Sequence, residues 1–341
     1  METQPEVVVV TGAGAGLARA AVREFARRGA HLGLISRSEE RLSAVKAEVE
    51  ALGGRAVTIS ADVADAHQVE QAAERIEQAL GPIDIWVNAA MVTVFSPFHE
   101  MSADDFRRVT EVTYLGQVHG TMAALRRMRP RNHGTIVQVG SALAYRPIPL
   151  QTAYCGAKHA IKGFTEGIRC ELMHEGSNVH ITLVEMPGLN TPQFGWCKNN
   201  MDKRVRPVAP VYQPEVGARA IYWAAHHRRR QLYVGISSAM TIWLNKLAPG
   251  LLDRYLARNA VGGQQTSQPE QPDRADNLWQ TVPGDPGAHG HFNQESYQHS
   301  PQLWMTTHRG TVGLAAGAAL LFGAALLDNR RRHRDKSLSR Y

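Results

Sequence analysis

Cysteine is scarce in this chain: Cys155, Cys170 and Cys197 are the three thiols among 341 residues. An odd number that small builds no disulfide framework. It suits a reducing compartment, where buried thiols are inert core residues. Also missing is a basic stretch at the start. METQPEVVVV runs directly into a strand-like valine run, so no secretory signal peptide is expected and the folded body is placed in the cytoplasm. Positive charge is unevenly spread. The formal net charge is +7, yet residues 328–341 alone hold six Lys/Arg against two Asp. The basic character is therefore mainly a property of the tail. It does not suggest nucleic acid; it suits a membrane surface or a solvated end.

What is present is a hydrophobic fraction of 43 %, enough for a sizeable core. Short apolar runs alternate with longer amphipathic segments from residue 6 to about 250. Strands are read over 7–11, 31–35, 56–60, 83–88, 134–139, 180–185 and 232–234. Helices are read over 16–28, 39–52, 69–80, 103–128 and 152–173. The strands are apolar at nearly every position and rich in β-branched residues, as when helices cover both faces of a sheet. Strict β-α alternation predicts an α/β fold of the Rossmann type, a doubly wound parallel sheet that binds ligands at the carboxyl ends of its strands.

After the first strand comes Thr11-Gly12-Ala13-Gly14-Ala15-Gly16-Leu17-Ala18. Glycines between a strand and a helix let the backbone turn tightly and approach a pyrophosphate, which the helix N-terminus then faces with N–H groups. Gly12, Gly14, Gly16 and Leu17 are therefore candidate cofactor-binding residues. The second strand ends in Ser36-Arg37. The acidic residue that would accept from a ribose 2′-OH is missing there, and a guanidinium pairs with a 2′-phosphate, which favours NADP(H) over NAD(H). A plain solvated loop charge is the alternative for Arg37. Asp62-Val63 follows the third strand and could set a carboxylate near the adenine amino group; Asp62 would also serve as a helix cap.

Tyr154-Cys155-Gly156-Ala157-Lys158 opens a long helical pattern. Residues four apart share a helix face, so a phenol and an ammonium can point into one site. An ammonium, together with a positive nicotinamide, would pull the phenol down toward neutrality. Tyr154 could then give a proton to a carbonyl oxygen or take one from an alcohol. Ser141, just past the strand at 134–139, could hold the same oxygen. A Tyr and a Lys at this spacing occur on many helices by chance; the combination with Ser141, the Gly-rich turn and the strand order is what makes the pattern specific.

With these residues the sequence resembles the classical short-chain dehydrogenase/reductase family over about residues 5–250. The matching positions are Thr11-Gly12…Gly16, Asp62, Asn88-Ala89-Ala90, Ser141, Tyr154…Lys158 and Pro187-Gly188…Thr191. The resemblance implies a hydride-transferring NAD(P)(H) oxidoreductase with a sheet of about seven strands and a small-molecule alcohol or ketone as substrate. It also implies that Lys158 holds the nicotinamide ribose, that Asn88 supports the central strand near the adenine ring, and that the segment Ile181 to Thr191 closes over the nicotinamide. Thr191 would contact its carboxamide. Relatives of this kind often pair through their two long helices, so a homo-oligomer is expected. The sequence departs from the pattern at Ala18, in place of a third glycine, and at Thr113, where the family has the asparagine that brackets a proton-relay water. Thr113 is thus a candidate catalytic position with an altered relay.

Residues from Asn190 to about Val211 are expected to cover the substrate. Phe194, Trp196 and Met201, with Met240 and Trp243, suit a lipophilic ketone or alcohol; core or dimer packing is the alternative for them. His226-His227-Arg228-Arg229-Arg230 reads as a solvated helix end rather than a metal or phosphate patch, and no metal site is expected.

The chain divides into a Rossmann domain over 1–260, a Gln-, Pro-, Gly- and His-rich flexible linker over 261–309, an apolar helix over 310–327 and a basic tail over 328–341. The run GTVGLAAGAALLFGAALL is long enough to cross a bilayer marginally or to attach to one. An NADP(H)-binding scaffold or sensor with little turnover is the alternative function, motivated by Thr113 and Ala18.

Overall fold

The computed structural model describes residues 5–315, 317–318 and 320–322. Its contacts separate a unit ending at Ser300 from one beginning at Pro301.

The first unit is built on one sheet. Its strands are β1 Val7–Thr11, β2 His31–Ser36, β3 Ala56–Ser60, β4 Ile85–Asn88, β5 Thr135–Ser141, β6 His180–Met186 and β7 Gln231–Tyr233. All pair in parallel, in the order β7-β6-β5-β4-β1-β2-β3. The chain builds outward from β1 to β3, returns, and builds outward on the other side from β4. The reversal leaves a crevice at the carboxyl ends of β1 and β4, where neither loop covers the other. This is the Rossmann-type doubly wound sheet that the alternation predicts.

Helices α1 Gly16–Ala26, α2 Glu39–Ala51, α3 Ala66–Leu80, α4 Ala103–Thr110, α5 Gly116–Arg131, α6 Thr152–His174 and α7 Pro214–His226 cover the sheet. One group joins α1 to α2 and α7; another joins α3 to α5 and α4 to α6. Every residue of β1 and β4 is buried, which is why those strands read as unbroken apolar runs. Local chemistry fixes the helix starts. Ser38, Asp65 and Ser102 accept from backbone N–H groups in the first turns of α2, α3 and α4, and Pro214 opens α7. Two further helices, α8 Ile236–Leu247 and α9 Pro249–Gly263, follow β7.

The helix expected over 103–128 is interrupted. A π-helical turn spans Glu111–Leu115 between α4 and α5. There the Thr113 hydroxyl donates to the Val92 carbonyl at 2.8 Å and accepts from the Val92 N–H at 3.1 Å. The helical period carries no information about a side chain bonded to a loop from another part of the chain.

The stretch read as a flexible linker makes ordered contacts at several points within the first unit. Residues Gln265–Pro269 pair antiparallel with Lys203–Val205, Ser296–Tyr297 pair with Val211–Tyr212, and Leu278 is fully buried. Composition shows too little apolar content for an independent core. It does not show that arginines elsewhere supply donors for this segment's carbonyls.

In the second unit, α10 spans Pro301–Thr307. The apolar run 310–327 lies partly outside the described residues, and the basic tail 328–341 lies wholly outside them. Among the described residues no helix is long and apolar enough to cross a membrane, so the expected transmembrane helix is not among the observed elements.

Candidate active site

A cavity of about 520 Å³ occupies the crevice. Its floor is the turn after β1. Gly12 has φ +73°, and a Cβ there would lie 2.8 Å from the Ala90 Cα, inside contact distance with backbone. Gly16 has φ +58°. Only glycine takes both conformations without strain, and the turn stays low enough for a ligand's phosphates to lie against it. Gly14 and Leu17 line the same floor. Ala18 lines it too, so the missing third glycine leaves the turn open.

One end of the cavity is cationic. Ser36, Arg37, Asp62 and Val63 line it, and so does Arg41 from the first turn of α2. These groups meet a strap formed by residues 277–287. Arg37 donates to the carbonyls of Asn277 at 2.5 Å, Leu278 at 3.3 Å and Trp279 at 3.1 Å. Arg41 donates to the carbonyls of Gly284 at 2.9 Å and of Val282. The Gly16 N–H donates to the Gly287 carbonyl at 3.1 Å. Arg19, 3 % exposed, is bonded to both carboxyl oxygens of Asp285 and to Glu48. Leu278 belongs to the core cluster that also holds Val63, Val92 and Val112.

Arg19 is neutralised by Asp285 and Glu48; Arg108 of α4, which also donates to the Leu278 carbonyl, is neutralised by Asp62. Arg37 and Arg41 are held by carbonyls, which orient a guanidinium without cancelling its charge. Each has five N–H donors in all, so donors remain for an anion. Burial lowers the pKa of Arg37, with Asp62 working the other way. The Asp62 carboxylate expected near an adenine amino group is therefore engaged with Arg108, a residue the sequence reading did not single out.

The other end holds the candidate catalytic groups. Ser141 ends β5; Tyr154 and Lys158 sit one helical turn apart near the start of α6, and all three line the cavity. Lys158 is 2 % exposed and donates to the Val139 carbonyl at 2.7 Å. Its Nζ lies 5.4 Å from the Tyr154 ring centroid. Burial holds Tyr154 above its ordinary value, with the neighbouring Ser141 hydroxyl pulling the other way. Burial brings Lys158 down to about 8. The downward pull on Tyr154 expected from its ammonium neighbour is thus not produced by the chain's own residues; desolvation of a phenolate is the larger effect.

Pro187, Gly188 and Thr191 close the cavity from the loop after β6. A Cβ at Gly188 would lie 2.5 Å from the Val208 carbonyl, so the loop lies directly on the segment that follows. Phe194 and Trp196 line the cavity as expected, joined by Leu252, Tyr255 and Leu256 of α9. Met201 instead packs on the cluster of Phe95, Leu150, Cys197 and Val205. Met240 and Trp243 are exposed and do not line it.

Two expected site residues stand behind the cavity. Asn88 is fully buried; it accepts from Trp86 Nε1 and donates to Gln138 Oε1, tying β4 to β5. Thr113 is fully buried and does not line the cavity. Among the described residues there is no group of three or more His, Cys, Asp or Glu side chains placed to hold a metal ion.

Comparison with known proteins assigns the family. The short chain dehydrogenase model matches residues 6–200, and the chain belongs to that family. An uncharacterized oxidoreductase, YxnA, of Bacillus subtilis (strain 168) is 30 % identical over 94 % of this chain and 90 % of its own. The 3-dehydrosphinganine reductase of Danio rerio is 33 % identical over 63 % of this chain and 66 % of its own. A fatty acyl-CoA reductase of Acinetobacter baylyi is 27 % identical over 67 % of this chain and 75 % of its own. Among solved structures, an alcohol dehydrogenase from the archaeon Thermococcus sibiricus complexed with 5-hydroxy-NADP has the same fold. The TM-score is 0.58, at 24 % identity over 67 % of this chain and 95 % of that one.

Proposed function

We propose that this chain is an NADP(H)-preferring oxidoreductase that interconverts a lipophilic alcohol and its ketone, with Tyr154 as the general acid and base. One observation carries the reading. A single cavity has a glycine cradle and two arginines without carboxylate partners at one end, and Ser141, Tyr154 and Lys158 at the other. The cradle fits a pyrophosphate because a Cβ at Gly12 would enter the backbone of Ala90. Arg37 and Arg41 fit a 2′-phosphate because their charge is oriented but not neutralised. The nicotinamide, when bound, supplies or accepts the hydride.

The chain's own groups handle the proton. Tyr154 gives a proton to the substrate oxygen in reduction and takes it back in oxidation, while the Ser141 hydroxyl holds that oxygen. Lys158, with Pro187, Gly188 and Thr191, would orient the cofactor's reactive end. Leu252, Leu256 and Phe194 on the wall suit an apolar substrate. The relatives named as reductases of 3-dehydrosphinganine and fatty acyl-CoA agree with that class. A homo-oligomer through α5 and α6 accords with the exposed Met122 and Met173 on these helices. Attachment to a membrane through the run 310–327 accords with the exposure of Leu314, Leu320, Leu321 and Phe322.

The test is NADPH consumption with a panel of hydrophobic ketones, comparing the wild type with Tyr154→Phe, alongside NADPH binding followed by fluorescence. Loss of about 10²–10⁴-fold in turnover with binding retained is expected. Binding of NADPH without any Tyr154-dependent turnover would identify a scaffold or sensor instead.

A further inference from the structure

The helix after β7 is amphipathic in the sense opposite to that of a helix packed on a core. Ile236, Met240, Trp243, Leu244 and Leu247 of α8 stand at i, i+4, i+7, i+8 and i+11, a stripe covering about 100° of the helix surface. In a surface helix such a stripe faces inward. Here it faces out: all five side chains are exposed, Trp243 at 60 % and Leu247 at 78 %. The opposite side faces in. Ser238 and Ile242 are buried, and Ser237 and Thr241 line the cavity. Asn245 donates to the Tyr145 carbonyl at 2.8 Å and accepts from Arg146 at 3.2 Å. Arg146 also donates to Asp253 of α9 at 2.6 Å. Tyr145 and Arg146 belong to the turn that follows Ser141, so polar bonds to the catalytic end of the sheet hold the apolar stripe outward.

The next helix continues this surface. It packs on α8, and its Leu251 and Tyr255 are exposed. Tyr255 also lines the cavity, together with Leu252 and Leu256, so the exposed apolar surface runs to the cavity's mouth. The free charge on the pair is of one sign. Lys246, Arg254 and Arg258 are exposed, while the one acid that the two helices carry, Asp253, is bonded to Arg146. The Lys246 Nζ lies 4.9 Å from the centroid of the Trp243 ring, an amine beside an indole at the edge of the stripe.

We infer that the α8–α9 face docks on the surface of a bilayer containing anionic lipid, and that the cavity opens toward that surface. The inference rests on the reading of the substrate as lipophilic, and it is separate from attachment through the run 310–327. Side chains of the stripe would enter the boundary between headgroups and acyl chains, with the indole of Trp243 and the phenol of Tyr255 at headgroup level. Lys246, Arg254 and Arg258 complement anionic headgroups. They do not complement a second copy of the chain. A two-fold interface sets one patch against itself, which would bring these cations against their own kind with Asp253 already engaged, an arrangement that like charges disfavour. Docking would also place a bilayer-dissolved ketone beside Leu252, Tyr255 and Leu256, from which it reaches the Tyr154 end of the same cavity without crossing water.

The test uses the full chain and vesicles of phosphatidylcholine, with or without phosphatidylserine. Phosphatidylcholine brominated on its acyl chains quenches tryptophan fluorescence on contact. Quenching is expected in the wild type, largely lost in Trp243→Phe and retained in Trp304→Phe, a substitution in α10. Quenching that survives Trp243→Phe unchanged overturns the inference, and its loss in Trp304→Phe instead would assign attachment to the C-terminal unit. Arg254→Gln with Arg258→Gln should weaken binding to the phosphatidylserine vesicles about 10- to 30-fold and leave binding to phosphatidylcholine alone unchanged; equal binding to both vesicles in the wild type overturns the choice of anionic lipid. Leu244→Glu with Leu247→Glu puts charge in the stripe at exposed positions, where folding does not depend on it. The pair should raise KM for a long-chain ketone dispersed in vesicles about tenfold and leave kcat/KM for a short, water-soluble ketone unchanged. Equal effects on the two ketones overturn the inference. So does a dimer that dissociates in this variant while vesicles quench nothing, because the face would then join two copies of the chain. A wild type that is quenched through Trp243 but turns over neither ketone overturns the functional reading and leaves the docking face in place.

Discussion

At the scale of single residues, the site depends on a few groups whose freedom is removed by their surroundings. Gly12 is the sharpest case. Its φ of +73° disfavours any side chain, and a Cβ would lie 2.8 Å from the Ala90 Cα. Gly12→Ala should cost about 1–3 kcal/mol of stability and weaken dinucleotide binding more than tenfold; thermal unfolding and NADPH titration check both effects. Arg37 makes a different demand. Its charge is oriented by three neutral carbonyls, so it favours a phosphate without needing a carboxylate partner. Arg37→Glu should weaken NADPH binding about 10- to 100-fold and leave NADH binding nearly unchanged. Equal losses for the two cofactors would remove the case for NADP preference. Arg37 was singled out in the sequence because it stands where an acidic residue would select NAD. Arg41 was not singled out, although its place in the first turn of the helix after Arg37 was a usable signal.

At the scale of elements, the strap at 277–287 is the feature no local pattern announces. Its composition is that of a linker, yet Leu278 is 0 % exposed and Arg19, Arg37, Arg41 and Arg108 all bond to it. These four partners lie 170 to 266 residues away in sequence, and periodicity within the segment has nothing to report. Leu278→Ala should destabilise the fold by about 2–4 kcal/mol, the range for emptying a filled apolar site. It should also weaken NADPH binding, because the strap's carbonyls aim Arg37 and Arg41. Chemical unfolding and cofactor titration on the same variant measure the two effects. An unchanged unfolding midpoint would show that the strap does not contribute to the core. The π-helical turn at Glu111–Leu115 belongs to this scale too. The sequence shows Thr113 in the expected helix, but its use as a clamp on Val92 follows from a contact made across the fold.

For the whole molecule, stability against acid can be followed through Glu48. Arg23 and Arg19 bond to its carboxylate and, against burial, lower it to about 2. The sign follows from linkage: a depressed carboxyl contributes stability that is complete above its unfolded value, here 4.5, and lost as the pH falls through about 2. The contribution is on the order of 2 kcal/mol after allowing for solvent screening. The stability difference between wild type and Glu48→Gln should therefore be constant above about pH 5 and shrink toward zero at about pH 2. A difference that persists undiminished in acid would mean that packing, not charge, holds this helix pair.

The sequence by itself determined the Rossmann-type sheet, its seven strands, and the glycine turn, Ser141, Tyr154 and Lys158 that line one cavity. These are local properties: apolar runs, a turn that only glycine tolerates, and two residues one helical turn apart. Tertiary structure alone decided that 277–287 is a strap, that Asp62 pairs with Arg108, that Asn88 stands behind the cavity and that Glu185 lies buried against Gly140. Each of these depends on which distant groups share a low-dielectric space. Burial and long-range partners set the energy of a charge there, and neither is written in the neighbouring residues.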